Sequence, residues 1–195
     1  MTREALGVDR PPEPIDRLAV TVRQIDRHGN YNLHLLGDPA RPDGVAARDQ
    51  ASARFPGGYG GGLLYYAARR SIVFRTEHSR RTLVEKVDFI SAAGTTPPDV
   101  LRYGNLSKVI TPLATLRMDL DEGELKLESY NPPATVAEVV ENTGFDLGDV
   151  SQVAAAPAPT EEELGMLRDA VRRNMIETDT YADWARDNLG GLRIA

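Results

Sequence analysis

Five of the six residues from Gly57 to Gly62 are glycine, in the stretch RFPGGYGGGLLYY that runs from Arg54 to Tyr66. Ordering a glycine removes more backbone freedom than ordering any other residue, so a cluster of them needs a compensating gain. Three uses satisfy that requirement. The loop turns through positive φ and lets a ligand approach bare N–H groups, it packs backbone tightly against backbone, or it serves as a flexible linker. The flanks argue against a linker, because LLYYAA directly after the glycines is short and apolar and reads as the first turns of a helix.

Charge narrows the ligand reading. Residues 1–95 carry 14 Lys/Arg against 11 Asp/Glu, whereas residues 96–195 carry 9 against 18, so the overall charge of −6 hides a gradient. The glycines lie in the most basic part of the chain, which suits a small anion. No nucleic-acid motif accompanies the charge and the whole chain is acidic, so no nucleic-acid partner is expected. The chain contains no cysteine, which excludes a disulfide framework and thiolate metal sites. His28 and His34 lack companion ligands at metal spacing, and no metal site is expected. The apolar runs are too short for a membrane span, nothing near Met1 reads as a signal peptide, and a cytoplasmic protein without a membrane partner follows.

At 195 residues the expectation is a flexible, proline-bearing lead-in over 1–17 and a single domain over 18–195, with C-terminal helices from about 160. LAVTVRQI reads as a strand, DRHGN as a turn and YNLHLL as a second strand, followed by loop chemistry to Gly62. SIVFR and VEKVDFI read as further strands. VITPLATLRMDLDEGELKLESY reads as two strands around a turn at Asp121-Glu122-Gly123, with Pro112 at an edge or a strand start. Thr135 and Glu138 form a capping-box pattern ahead of Val136, Val139 and Val140, and Gly144 marks that helix's end. Thr160 and Glu163 repeat the pattern ahead of the stripe Leu164, Leu167, Val171 and Met175. Both stripes read as core-facing, and Trp184 reads as packing a terminal helix.

With these elements in order, the chain resembles the β subunit of family I coenzyme A transferases, of the glutaconate CoA-transferase type. QIDRHGNYN, GGYGGG, TEHSRRTLVEKVDFISAAG and ESYNPPATVAEVVENTGFDL carry the resemblance over roughly Val22 to Met175. It implies an α/β fold, an open and mainly parallel sheet with helices on both faces, as in the related sugar-phosphate isomerases. It also implies a subunit that binds acyl-CoA at an interface and moves CoA between carboxylic acids, with coenzyme A as substrate and no permanently bound cofactor. Gly58, Gly60 and Gly61 line up with the family's Gly-x-Gly-Gly turn beside the thioester, where backbone donors meet the developing oxyanion.

The family's catalytic glutamate sits in a Ser-Glu-Asn-Gly-like signature that would precede Leu18. Glu4 and Glu13 stand in no such motif, so no catalytic residue is assigned in this chain. The sheet is therefore expected to be N-terminally incomplete, with its edge covered by an α-type partner or a second copy. Two other readings stand beside this one: a hydrolase or ring-opening subunit acting on steroid-derived CoA esters, and a non-catalytic scaffold. Glu77-His78-Ser79 is read as strand residues that alternate between faces, so no triad is assigned there. Asp26, Gly29, Asn30 and Asn32 read as turn architecture. Arg69, Arg70, Arg75, Arg80 and Arg81 present guanidinium forks suited to phosphates or to surface ion pairs.

Overall fold

A computed structural model describes residues 15–37, 51–97, 99–100, 102–178 and 181–189. The chain falls into two compact units, one ending at Ala155 and one beginning at Ala156, where sequence reading draws a single domain. The greater part of the 1–17 lead-in, with Glu4 and Glu13, lies outside the described residues.

The first unit is built on a six-stranded sheet. Its strands are β1 (Arg17–Thr21), β6 (Arg70–Phe74), β7 (Asn105–Ile110), β8 (Ala114–Asp119), β9 (Glu124–Tyr130) and β10 (Ala154–Ala155), in the spatial order β1-β6-β7-β8-β9-β10. β1 with β6, β6 with β7, and β9 with β10 are parallel, while β8 is antiparallel to both neighbours. The sheet is thus mixed and mostly parallel. Two short antiparallel pairs accompany it: β2 (Gln24–Ile25) with β3 (Tyr31–Asn32), and β4 (Leu35–Gly37) with β5 (Ala51–Arg54).

Alternation explains the β8–β9 hairpin. Ala114, Leu116 and Met118 turn inward with Leu125 and Leu127, and a fully buried side chain of this kind contributes about 1.5–3 kcal/mol. The turn closes where Asp119 Oδ1 accepts the N–H groups of Asp121 and Glu122. Val22, Ile25, Tyr31, Tyr65, Val73, Leu83, Leu106, Val109 and Val139 complete the core.

Helix α1 (Gly61–Ala67) follows the glycine loop, and α2 (Val136–Asn142) starts at Thr135, whose hydroxyl accepts the Glu138 N–H. In the second unit, α3 (Glu161–Met166) is started by a complete capping box between Thr160 and Glu163. A π-helical segment, Leu167–Val171, joins it to α4 (Arg172–Glu177), and α5 (Ala182–Asn188) follows. Among the described residues no helix is long and apolar enough to cross a membrane.

Several local expectations are corrected. VEKVDFI forms no strand: Val84 N–H donates to Ile25 O at 3.0 Å, and further on Asp88 N–H donates to Gln24 Oε1 while the Asp88 carboxylate accepts Gln24 Nε2 and Gly37 N–H. Ala51–Arg54 does form one, paired with β4 across a bulge. Pro112 sits in the bend between β7 and β8, where its missing N–H costs no ladder bond. Gly144 does stand just past the end of α2, where packing requires it: its N–H donates to Leu83 O at 2.8 Å, and a Cβ there would stand 2.3 Å from that same oxygen. The stripes are only partly buried, since Val139 and Leu164 are covered whereas Val140 and Val171 are exposed; Trp184, in α5, is exposed as well, against its reading as a packing residue.

Candidate functional site

The glycine loop is laid over the ring of His34. Phe55 N–H donates to His34 O at 2.9 Å, which starts the loop, and His34 Nδ1 lies 2.5 Å from Ser91 Oγ. Gly58 N–H donates to His34 Nε2 at 3.3 Å, so Nε2 is an acceptor and the ring proton belongs on Nδ1. Ser91 Oγ also accepts the Leu33 N–H at 2.8 Å, which fixes the serine beneath the ring. His34 and Ser91 are therefore part of the site's floor. Their separation of 57 residues left no local signal in the sequence.

The five glycines then separate by what a side chain would meet. At Gly57, φ is +92° and a Cβ would lie 2.5 Å from His34 Nε2. At Gly61 it would lie 3.0 Å from the Tyr31 hydroxyl, and at Gly62 3.2 Å from the Ser91 carbonyl. The fold itself accounts for these three. At Gly58 and Gly60 a Cβ would make only ordinary contacts, 3.5 Å to Leu33 and 3.8 Å to Leu64. Gly60 moreover has φ −75° and ψ −2°, which any residue adopts. Packing among the described residues gives no reason for glycine at these two positions.

Their donors differ as well. Gly58 N–H is directed at His34, and Gly61 N–H closes a tight turn onto Gly58 O at 2.5 Å. Gly60 N–H meets no acceptor among the described residues, although Gly60 O accepts the Leu64 N–H at 2.8 Å. Among the described residues no side chain caps α1 and no acid stands in its first turn. Between them, Tyr59 is held at φ +40° and is 95% exposed, a strained conformation for a non-glycine residue. Leu63 and Tyr103 are also exposed beside the loop, and they line a shallow apolar hollow with Gly62, Tyr66 and Ala67. Beneath it, Tyr31 is fully buried; its hydroxyl has no partner among the described residues, and burial pushes its pKa up to about 12.

The remaining candidates separate from this loop. His78 is buried between the hydroxyls of Thr111 (2.7 Å) and Thr143 (3.1 Å), and burial lowers its pKa. Ser79 Oγ donates to Glu77 Oε1 at 2.6 Å, so the three residues do not converge on one reacting atom. They lie in a loop after β6, not in a strand as their alternation suggests. Arg69 and Arg70 are exposed at the start of β6, Arg75 follows its other end, and Arg80 donates to Glu141 O; the five arginines form no single cluster. Asp26 accepts the N–H groups of His28 and Asn30 and the Asn30 amide, in keeping with turn architecture.

A sequence model described as coenzyme A transferase matches residues 15–142, a span that contains the whole loop and its floor. The chain is 31% identical over 151 residues to one of the subunits of 3-oxoadipate CoA-transferase from Pseudomonas knackmussii, covering 74% of this chain and 54% of that protein. It is 26% identical to the cholesterol ring-cleaving hydrolase IpdB subunit of Rhodococcus jostii, covering 76% of this chain and 56% of that one. The chain thus spans about half the length of the curated relatives it matches. Among solved structures, glutaconate coenzyme A-transferase from Acidaminococcus fermentans superposes with a TM-score of 0.66 at 25% identity, over 78% of this chain and 57% of that one.

Proposed function

The chain belongs to the coenzyme A transferase family, and from that premise we propose that it binds an acyl-CoA at the glycine loop and takes part in moving CoA between carboxylic acids. The observation that carries the reading is Gly60: the fold tolerates a side chain there, yet the position is glycine and its N–H is open. A thioester carbonyl oxygen placed against that N–H gains a donor fixed before charge develops. When a carboxylate attacks the thioester carbon, the carbonyl electron pair moves onto oxygen and Gly60 N–H stabilises it. The C–S bond then breaks, releasing CoA thiolate and leaving an anhydride. One such preorganised donor contributes about 3 kcal/mol to the transition state.

The attacking carboxylate is taken to come from outside the described residues. Glu77 is held by Ser79 and Arg81, and Glu124 by Arg27 and Lys126, so neither is free to attack. On this reading an α-type partner or a second copy of the chain supplies it and completes the site. Calorimetry with acyl-CoA on the wild type and on Gly60→Val tests the loop directly. A branched side chain there should weaken binding by about 1–3 kcal/mol, and equal affinity in both proteins would reduce the loop to architecture.

The likeness to the ring-cleaving hydrolase subunit supports a second reading, with water as the nucleophile. With the chain and its partner, free CoA released from acyl-CoA without an acceptor acid would favour thioester hydrolysis, a cyclic CoA ester that gains water and keeps its CoA would favour ring opening, and dependence on the acceptor would favour transfer.

A further inference from the structure

β1 and β6 are parallel neighbours, and Arg23 and Arg75 stand just beyond their carboxyl ends. That is where open sheets with parallel strands receive ligands. There Arg23, Leu36, Arg75, Glu77, Arg81 and Thr82 line a hollow of about 220 Å³. Drug-sized ligands occupy about 300–1,000 Å³, so this hollow suits one anionic group and not a whole cofactor.

Its charges do not cancel. Three guanidiniums face one carboxylate, and that carboxylate is already engaged: Glu77 Oε1 accepts Ser79 Oγ at 2.6 Å and Arg81 at 3.0 Å. These two bonds, the serine's first, hold the Glu77 carboxyl below its usual range and so keep it ionised. Arg75 approaches Glu77 only at 3.8 Å, and its buried Nε–H has no acceptor among the described residues. A buried donor left unmet is costly and calls for an acceptor from elsewhere. Arg23 has no ion pair among the described residues. Its guanidinium lies 4.1 Å above the Phe55 ring, which presents its fork in a fixed plane.

We propose that this hollow is an oxyanion site, which takes a carboxylate or phosphate group on Arg23 and Arg75 while Arg81 and Glu77 form its rim. Phe55, under Arg23, is five residues from Gly60, and a chain of that length spans at most ~18 Å. One extended ligand can therefore touch both places, although the anion site holds whether or not the glycine loop receives a thioester.

Calorimetry on the whole chain at low salt tests it, with inorganic phosphate and glutarate as separate probes. The wild type should bind at least one of them saturably, with one site per chain. Arg23→Gln and Arg75→Gln should each weaken that binding about tenfold, while Arg117→Gln, on an exposed arginine of β8 that does not line the hollow, leaves it unchanged. Binding of phosphate alone assigns the site to phosphate esters, of glutarate alone to carboxylates, and of both to the shared chemistry. No saturable binding of either probe, unchanged affinity in the Arg23 variant, or an equal loss in the Arg117 variant would overturn the proposal. Circular dichroism checks folding; should Arg75→Gln fail that check, the exposed Arg23 carries the test alone. Acyl-CoA binding lost in Gly60→Val but kept in Arg23→Gln separates this site from the loop.

Discussion

Two of the turns that place a glycine at positive φ, Asp26–Asn30 and the 57–62 loop, differ in what they leave open. In the Asp26–Asn30 turn, Gly29 sits at φ +71° and donates to Asp26 O, while its own carbonyl accepts the Tyr65 hydroxyl at 3.0 Å. Asn30 Oδ1 accepts the Gly94 N–H at 2.9 Å, and Asp26 gathers three further donors. The turn's polar groups answer one another. In the 57–62 loop, Gly57 sits at φ +92°, yet Gly60 N–H is unanswered and Tyr59 stands almost fully exposed. Glycine alone therefore does not mark a binding loop. What sets the 57–62 loop apart, and supports the binding proposed for it, is an open donor at a position where the fold would have accepted a side chain.

The largest effect belongs to the closed turn. In Gly94→Ala the new Cβ would stand 2.1 Å from His28 O and 2.4 Å from Gly29 C, backbone atoms that cannot swing aside. Urea denaturation should show a loss of about 3 kcal/mol. A loss below about 0.5 kcal/mol, the range of featureless surface changes, would break the claim that this turn is packed shut. Next comes Gly57→Ala, which combines φ +92° with an overlap on the His34 ring, a flexible side chain that can partly yield. About 1–3 kcal/mol of stability should go with it.

A third test uses pH at the closed turn. Burial, outweighing the bonds from Asn30 and His28, raises the Asp26 pKa above 3.8. The folded state thus favours the protonated acid, so this contribution to stability is complete below pH 3.8 and is lost as pH rises through the folded value. Within that window the slope from this one group is at most about 1.4 kcal/mol per pH unit. Asp26→Asn should abolish it, and an unchanged slope would place its origin elsewhere. The smallest stability effect is expected at Gly60→Ala, within about 0.5 kcal/mol of wild type. Substantial unfolding there would turn the open loop into a second piece of architecture.

Strand alternation made β8 and β9 readable, and the threonine caps announced α2 and α3, because those signals are local. VEKVDFI misled because its apolar pattern is satisfied without a strand: Val87 is buried while Val84 N–H and Asp88 N–H donate to Ile25 O and Gln24 Oε1. At the site, the glycine cluster was conspicuous in sequence. Which glycines the fold needs was not, since that depends on Tyr31, His34 and Ser91, brought beneath the loop from both sides of it. The arginine hollow was hidden for the same reason, Arg23 and Arg75 meeting only because β1 and β6 are paired.

That pairing also sets a timetable. β7, β8 and β9 follow one another through short turns, whereas Arg17 of β1 waits for Arg70 of β6. At about 5–20 residues per second, translation leaves β1 without its neighbour for roughly 3–10 s. Closing so long a loop is also the slower step in refolding. Pulse-labelled hydrogen exchange should find the β8–β9 amides protected ahead of those in β1. The half of the sheet that gathers the arginines is then the last to assemble, and ligand binding should appear only after most of the protein's native signal has returned.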